Sequence, residues 1–183
     1  MKPTKMVIAC LVIFLYTDIS FALGPYVHQG NWRWRNDDGD VYSATWKDSV
    51  NTPVILTDYE NIRLRIENLY DRGFSDTISL CYTEDGPWIP ITDVDTGKFF
   101  ISPSQYLSDT MSYFDNQLLP PSSNNPYVRT ITFDLTNNYF LIADGSSAYE
   151  LEYSLKPTMN IQPGSAYFFA LCNDSNPMWL FGA

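Results

Sequence analysis

Polar and apolar residues alternate along this chain with a period of two. Asn61-Ile62-Arg63-Leu64-Arg65-Ile66-Glu67 alternates without a fault, which suits a half-buried antiparallel strand. Ile78, Leu80 and Tyr82 share a face against Ser79 and Cys81. Tyr149, Leu151, Tyr153 and Leu155 alternate with Glu150, Glu152 and Ser154, and Tyr167, Phe169 and Leu171 with Phe168, Ala170 and Cys172. Further strands are predicted over Trp32–Arg35, Val41–Trp46, Val54–Thr57, Lys98–Ile101, Thr130–Leu135 and Tyr139–Ile142. Turn signals separate them: Asp37-Asp38-Gly39, Asp71-Arg72-Gly73, Glu84-Asp85-Gly86-Pro87, Asp144-Gly145 and Gln162-Pro163-Gly164. In the Asn61–Glu67 strand Ile62, Leu64 and Ile66 form the core face, so truncating Leu64 is expected to cost far more than truncating Arg63.

One stretch departs from this period. Ser102-Pro103-Ser104-Gln105 has the form of a helix start, with Ser102 as N-cap and Pro103 in the first turn. Tyr106, Leu107, Met111 and Phe114 then fall on one helical face, which predicts a short helix ending before Pro120. Pro120 to Pro126 reads as an exposed loop. The fold class expected is therefore all-β: an antiparallel β-sandwich, immunoglobulin-like, fibronectin III-like or jelly-roll-like, with one short helix across an edge or end.

The first 22 residues read as an export signal. Lys2 and Lys5 precede an apolar run from Met6 to Tyr16, and Ser20-Phe21-Ala22 offers a small-residue cleavage site before Leu23. Thr17 and Asp18 interrupt the run before it is long enough to span a membrane. Val7-Ile8-Ala9-Cys10 also resembles a lipoprotein cleavage site, but most of the apolar residues follow Cys10 instead of preceding it. The organisation expected is a signal peptide over 1–22 and a single β-sandwich domain over 23–183, with no membrane span in the mature chain. Its location is secreted or at the cell surface, with the periplasm as an alternative.

The net charge of −10 opposes binding to nucleic acid or anionic membrane, since neutralising phosphates needs clustered Lys and Arg. Two cysteines lie beyond the leader, Cys81 and Cys172. They are either one disulfide, closing a loop worth roughly 4–5 kcal/mol in the chain-entropy model, or two separate buried thiols. The sequence leaves both open.

Catalysis finds little support. His28 is the single histidine, and a nucleophilic triad would have to recruit it without any visible nucleophile elbow. No His or Cys pair has transition-metal spacing. No catalytic residue and no cofactor is expected. Asn36-Asp37-Asp38-Gly39-Asp40 clusters oxygen ligands around a glycine, which makes Asp37, Asp38 and Asp40 a calcium candidate, although the same residues suit a plain turn. Asp93, Asp95 and Gly97 are a weaker one. The aromatic content, 16%, is high; it suits a core, and it would also suit a sugar-binding face with Trp46, Trp88 or Trp179 stacking on the ligand.

Trp32-Arg33-Trp34-Arg35-Asn36-Asp37-Asp38-Gly39, Ala44-Thr45-Trp46-Lys47, Asn51-Thr52-Pro53 and Asn61-Ile62-Arg63-Leu64-Arg65-Ile66 form a distinctive front block. Glu150-Leu151-Glu152-Tyr153-Ser154-Leu155 and Gly164-Ser165-Ala166-Tyr167-Phe168-Phe169 follow as later landmarks. Together they resemble an uncharacterised β-sandwich module of bacterial secreted and cell-surface proteins, over nearly the whole mature chain. In such modules an arginine often sits in the last landmark strand, where this chain has Ala170 or Leu171. The resemblance implies a bacterial surface sandwich and brings no catalytic residues. The expected function is a non-catalytic structural or adhesive module whose partner is a protein or glycan. The alternatives are a carbohydrate-binding module and a small secreted hydrolase.

Overall fold

The computed structural model describes residues 8–10, 27–70, 77–107, 112–114, 118–120, 128–133, 140–141, 147–173 and 176–177, with side-chain surroundings for 29–69, 78–107, 118–120 and 149–172. In chain order the strands are β1 (Ile8–Cys10), β2 (Val27–Asn36), β3 (Val54–Leu56), β4 (Ile62–Tyr70), β5 (Thr77–Thr83), β6 (Ile89–Pro90) and β7 (Phe99–Ile101). They continue as β8 (Ser112–Phe114), β9 (Val128–Phe133), β10 (Phe140–Leu141), β11 (Ser147–Pro157), β12 (Ala166–Asn173) and β13 (Asn176–Pro177).

These strands form the two sheets of a β-sandwich. One runs β10-β5-β12-β1-β3, with β6 beside β5 and β13 beside β12; the other runs β2-β4-β11-β9-β8, with β7 beside β11. Pairing is antiparallel except between β1 and β12 and between β9 and β11. Ile8–Cys10, within the expected export leader, thus forms a strand between β3 and β12. Among the described residues no helix is long and apolar enough to cross a membrane.

The core lies between the sheets and follows the period of two. Ile62, Leu64 and Ile66 from β4, Leu151, Tyr153 and Leu155 from β11, and Trp32 and Trp34 from β2 meet Ile78, Leu80 and Tyr82 from β5 and Tyr167, Phe169 and Leu171 from β12. Phe99 packs edge-on against Tyr167 at 5.1 Å and Phe169 at 5.0 Å, and Trp34 against Phe169 at 5.3 Å. This is the favoured geometry of aromatic quadrupoles.

A register shift between Gln29 and Trp32 inserts one extra residue in β2, so that Gln29 and Trp32 both face inward despite their odd spacing. The Gln29 side chain accepts a hydrogen bond from the Leu171 amide across the sandwich, 3.2 Å. Asn51 supports the bulge from outside: its side chain accepts from the Trp32 amide, and its own amide donates to the Trp32 carbonyl, both at 2.9 Å. To do both it adopts φ 56°, a left-handed conformation that Asn tolerates better than most residues. At the other end, Gln162-Pro163-Gly164-Ser165 turns with Gly164 at φ 86° and the Ser165 amide donating to the Gln162 carbonyl, 3.2 Å. Proline and glycine in that order suit a type II turn.

Three expectations are corrected. Among the described residues no helix follows Ser102: 102–104 run without regular structure, Gln105 and Tyr106 make a turn, and Ser112–Phe114 is a strand paired with β9. The Ser102 and Ser104 hydroxyls donate to Asn61 and Asp37, and Ser104 accepts the Tyr106 amide, so the capping groups hold this segment onto β4 and its neighbouring loop. The predicted strand Val41–Trp46 is a turn with a single bridge, Arg35 to Trp46. The amides of Tyr42, Ser43 and Thr45 donate to the Asp40 and Asp38 carboxylates, which takes them out of any ladder. Finally, Arg63 is no more exposed than Leu64: both are 0% accessible. The predicted turns Asp71–Gly73 and Asp144–Gly145, Met111 and the loop beyond Pro120 lie outside the described residues.

Candidate functional site

The polar face of β2, β4 and β11 carries the largest concentration of chemistry-bearing side chains described, and it is buried. Register sets Arg35 opposite Arg63, Arg33 opposite Arg65, and Glu67 opposite Glu150. Like charges directly opposite repel, but the same register also sets Glu152 opposite Arg65, and much of the attraction converges on Glu152. That carboxylate accepts from Arg35 Nη1 at 3.0 and 3.2 Å, from Arg63 Nη1 at 3.4 Å, and from Arg65 Nη1. Arg65 Nε also donates to Glu150 at 2.5 Å.

Two chain segments roof this face and are tied to it. In the loop after β2, the carbonyls of Val41 and Ala44 accept from the Arg35 guanidinium at 2.8 and 2.7 Å, and the Gly39 carbonyl accepts from Arg63. Asp37 accepts from Arg63 Nε at 2.8 Å and from Ser104 at 2.5 Å. A Cβ on Gly39 would sit 2.7 Å from Ser43 Oγ and 2.8 Å from the Ala44 amide, so the loop closes this tightly only around glycine. On the other side, Glu150 accepts the Leu118 amide at 3.0 Å and the Leu119 amide at 2.7 Å. Asn31 donates to the Pro120 carbonyl, 2.8 Å, while its amide donates to Glu67, 3.0 Å.

Burial pulls the Arg35 guanidinium below its ordinary value; Glu152 opposes the fall, and Arg65 and Arg63 add to it. An arginine starts so high that it stays charged, so Arg35 is a fixed cation spent on holding the loop. Trp46 closes the outside of this cluster, with the guanidiniums of Arg33 and Arg35 at 4.5 and 4.6 Å from its ring centre, within cation–π range.

The calcium candidate falls on this loop. Asp37 faces Arg63, Ser104 and Asn61; Asp38 accepts from the Thr45 amide and hydroxyl; Asp40 accepts from the Tyr42 and Ser43 amides and the Ser43 hydroxyl. Hydrogen bonds from Thr45 hold Asp38, and those from Ser43 hold Asp40, below the usual carboxylate range. The three carboxylates thus face three different donor sets. Among the described residues no group of three or more His, Cys, Asp or Glu is placed to hold a metal ion.

Of the tryptophans singled out for sugar stacking, Trp46 is half-buried under its arginines, Trp88 is half-buried before β6, and Trp179 lies outside the described residues. Cys81 and Cys172 are buried and free, on the adjacent strands β5 and β12. His28 lies in β2, paired with Leu69.

Sequence reasoning missed the ion network, and a signal for it existed. Arg33-x-Arg35 and Arg63-x-Arg65 repeat one charge at strand spacing, and Glu150-x-Glu152 repeats the opposite charge at the same spacing. Three such strands side by side present matching stripes. Several of the front-block landmarks are parts of this network: Arg35, Asp37, Gly39, Trp46, Arg63 and Arg65. Compared with known proteins, the chain matches no family model, no curated protein and no solved structure.

Proposed function

We propose that this chain is an exported, non-catalytic structural or interaction domain of a bacterial cell surface or its surrounding medium. One observation carries the reading: the described arginines and carboxylates that cluster most densely are covered by two loops and donate to or accept from them. Glycoside hydrolysis asks for two carboxylates facing each other across an open substrate cleft, whereas Glu150 and Glu152 are 0% accessible. Such an arrangement suits a rigid platform whose outer loops keep one shape. The natural partner is a protein or a glycan met outside the cell.

Export is supported by the leader signature, while β1, seated between β3 and β12, belongs to the uncut chain. N-terminal sequencing of protein recovered outside the cytoplasm should give a start at Leu23. Intact Met1, or a lipid-modified Cys10, would remove this part of the proposal. A glycan array probed with the same material, with and without calcium, tests the rest. Strong glycan binding lost on Trp46→Ala or Trp88→Ala would replace the structural reading with a carbohydrate-binding one.

A further inference from the structure

Strands β5 and β12 bring together two cysteines from opposite halves of the chain. Register pairs Cys81 with Ala170 and Cys172 with Ser79, so the cysteines share one face of the sheet as diagonal neighbours on adjacent strands. That face is the reverse of the one from which Leu80, Tyr82, Phe169 and Leu171 enter the core. Both residues are 0% accessible. The neighbouring Cys81 side chain, reinforced by burial, pushes the Cys172 thiol well above its ordinary value. Ser79 Oγ lies 3.8 Å from Cys81 Sγ and donates to the Cys172 carbonyl at 3.5 Å, which closes the polar end of the pair.

We propose that Cys81 and Cys172 form an oxidisable pair that closes to a strained, readily reduced cross-strand disulfide. Diagonal neighbours in an antiparallel pair have Cα atoms roughly 7–8 Å apart, just beyond the ~6.8 Å that ordinary disulfides span. Closing the bond therefore requires a movement of β12 toward β5 near its end at Asn173. The strain raises the reduction potential and makes the bond labile in place of a permanent staple. In the closing reaction each thiol loses one proton and one electron and the Sγ–Sγ bond forms. A disulfide oxidant such as oxidised glutathione takes up both electrons and both protons, and its own S–S bond breaks to two thiols. With both thiols buried and Cys172 held protonated, attack by thiolate is confined to the folding chain or to local opening of β12. The inference holds whichever compartment the protein occupies.

The test uses the full chain and its Cys10→Ser variant, which leaves only this pair. Both are equilibrated across reduced-to-oxidised glutathione ratios, quenched in acid, alkylated in denaturant, and read by intact mass and peptide mapping. The expected result is a linked Cys81–Cys172 peptide in oxidising mixtures that is lost as reduced glutathione comes into excess, with near-ultraviolet circular dichroism showing a folded protein throughout. Cys81→Ser should abolish the linked species. Two alkylated thiols at every ratio in a folded chain would overturn the proposal, as would a bond that survives a hundredfold excess of reduced glutathione or linkage of either residue to Cys10.

Discussion

Leu64 and Arg65 are successive residues of β4, equally inaccessible to solvent, and they hold the sandwich together by different means. Leu64 points between the sheets, where it gains from leaving water and tolerates neighbours of many shapes. Arg65 points the other way, where removal from water is a cost that only matched partners offset. The first face is forgiving and supplies most of the driving force. The second supplies little net stability, yet it discriminates sharply between correct and incorrect neighbours, because a guanidinium without its carboxylate is worse than none.

The strongest way to break that contrast is Glu152→Ala. It removes the carboxylate shared by Arg35, Arg63 and Arg65, and leaving buried charge uncompensated should cost about 3–5 kcal/mol, read as a lower midpoint in denaturant melts. Arg63→Ala should fall in the same range, about 3–5 kcal/mol, beside roughly 2–5 kcal/mol for Leu64→Ala. Comparable losses at 63 and 64 would establish that both faces are structural. A loss at 63 near zero would mean that water reaches the ionic face.

Acid sharpens the comparison on the loop. Hydrogen bonds hold Asp38 and Asp40 below the ordinary carboxylate range, so their contribution is complete above the ordinary value of about 4 and is lost as pH falls through their lower folded values. Fluorescence from Trp46 should therefore change below about pH 4 while the core stays packed. Asp38→Asn with Asp40→Asn should remove that step. The smallest effect is expected from calcium. A specific ligand would raise stability by about 2.7 kcal/mol at a hundredfold excess over its dissociation constant, whereas these carboxylates already have donors. Millimolar calcium should shift the melting temperature no more than magnesium does; a calcium-specific rise lost in the same double variant would reverse this.

The core face was legible because its signal is local. Ile62, Leu64 and Ile66 declare their side of the strand within five residues, as do Leu151, Tyr153 and Leu155. The ionic face was not, because whether Arg63 meets water depends on Asp37 and Glu152, 26 and 89 residues away. The helix signature at Ser102 failed for a related reason. A serine hydroxyl serves a helix amide or a distant side chain equally well, and here Asn61 and Asp37, 41 and 67 residues earlier, take those at 102 and 104. Val41–Trp46 looked like a strand by composition, but Asp38 and Asp40 are close enough in sequence to capture its amides.

The span of the ionic contacts also bears on time. Arg35 and Glu152 are 117 residues apart, and Arg65 and Glu150 are 85, so this face cannot close until β2, β4 and β11 are in register and the connecting chain has given up its freedom. Contacts that form after the rate-limiting step leave the folding rate unchanged and act on the rate of unfolding. Weakening Glu152 should therefore steepen the loss of native protein in unfolding kinetics and hardly slow refolding: the buried arginines govern how long the sandwich lasts once it has formed.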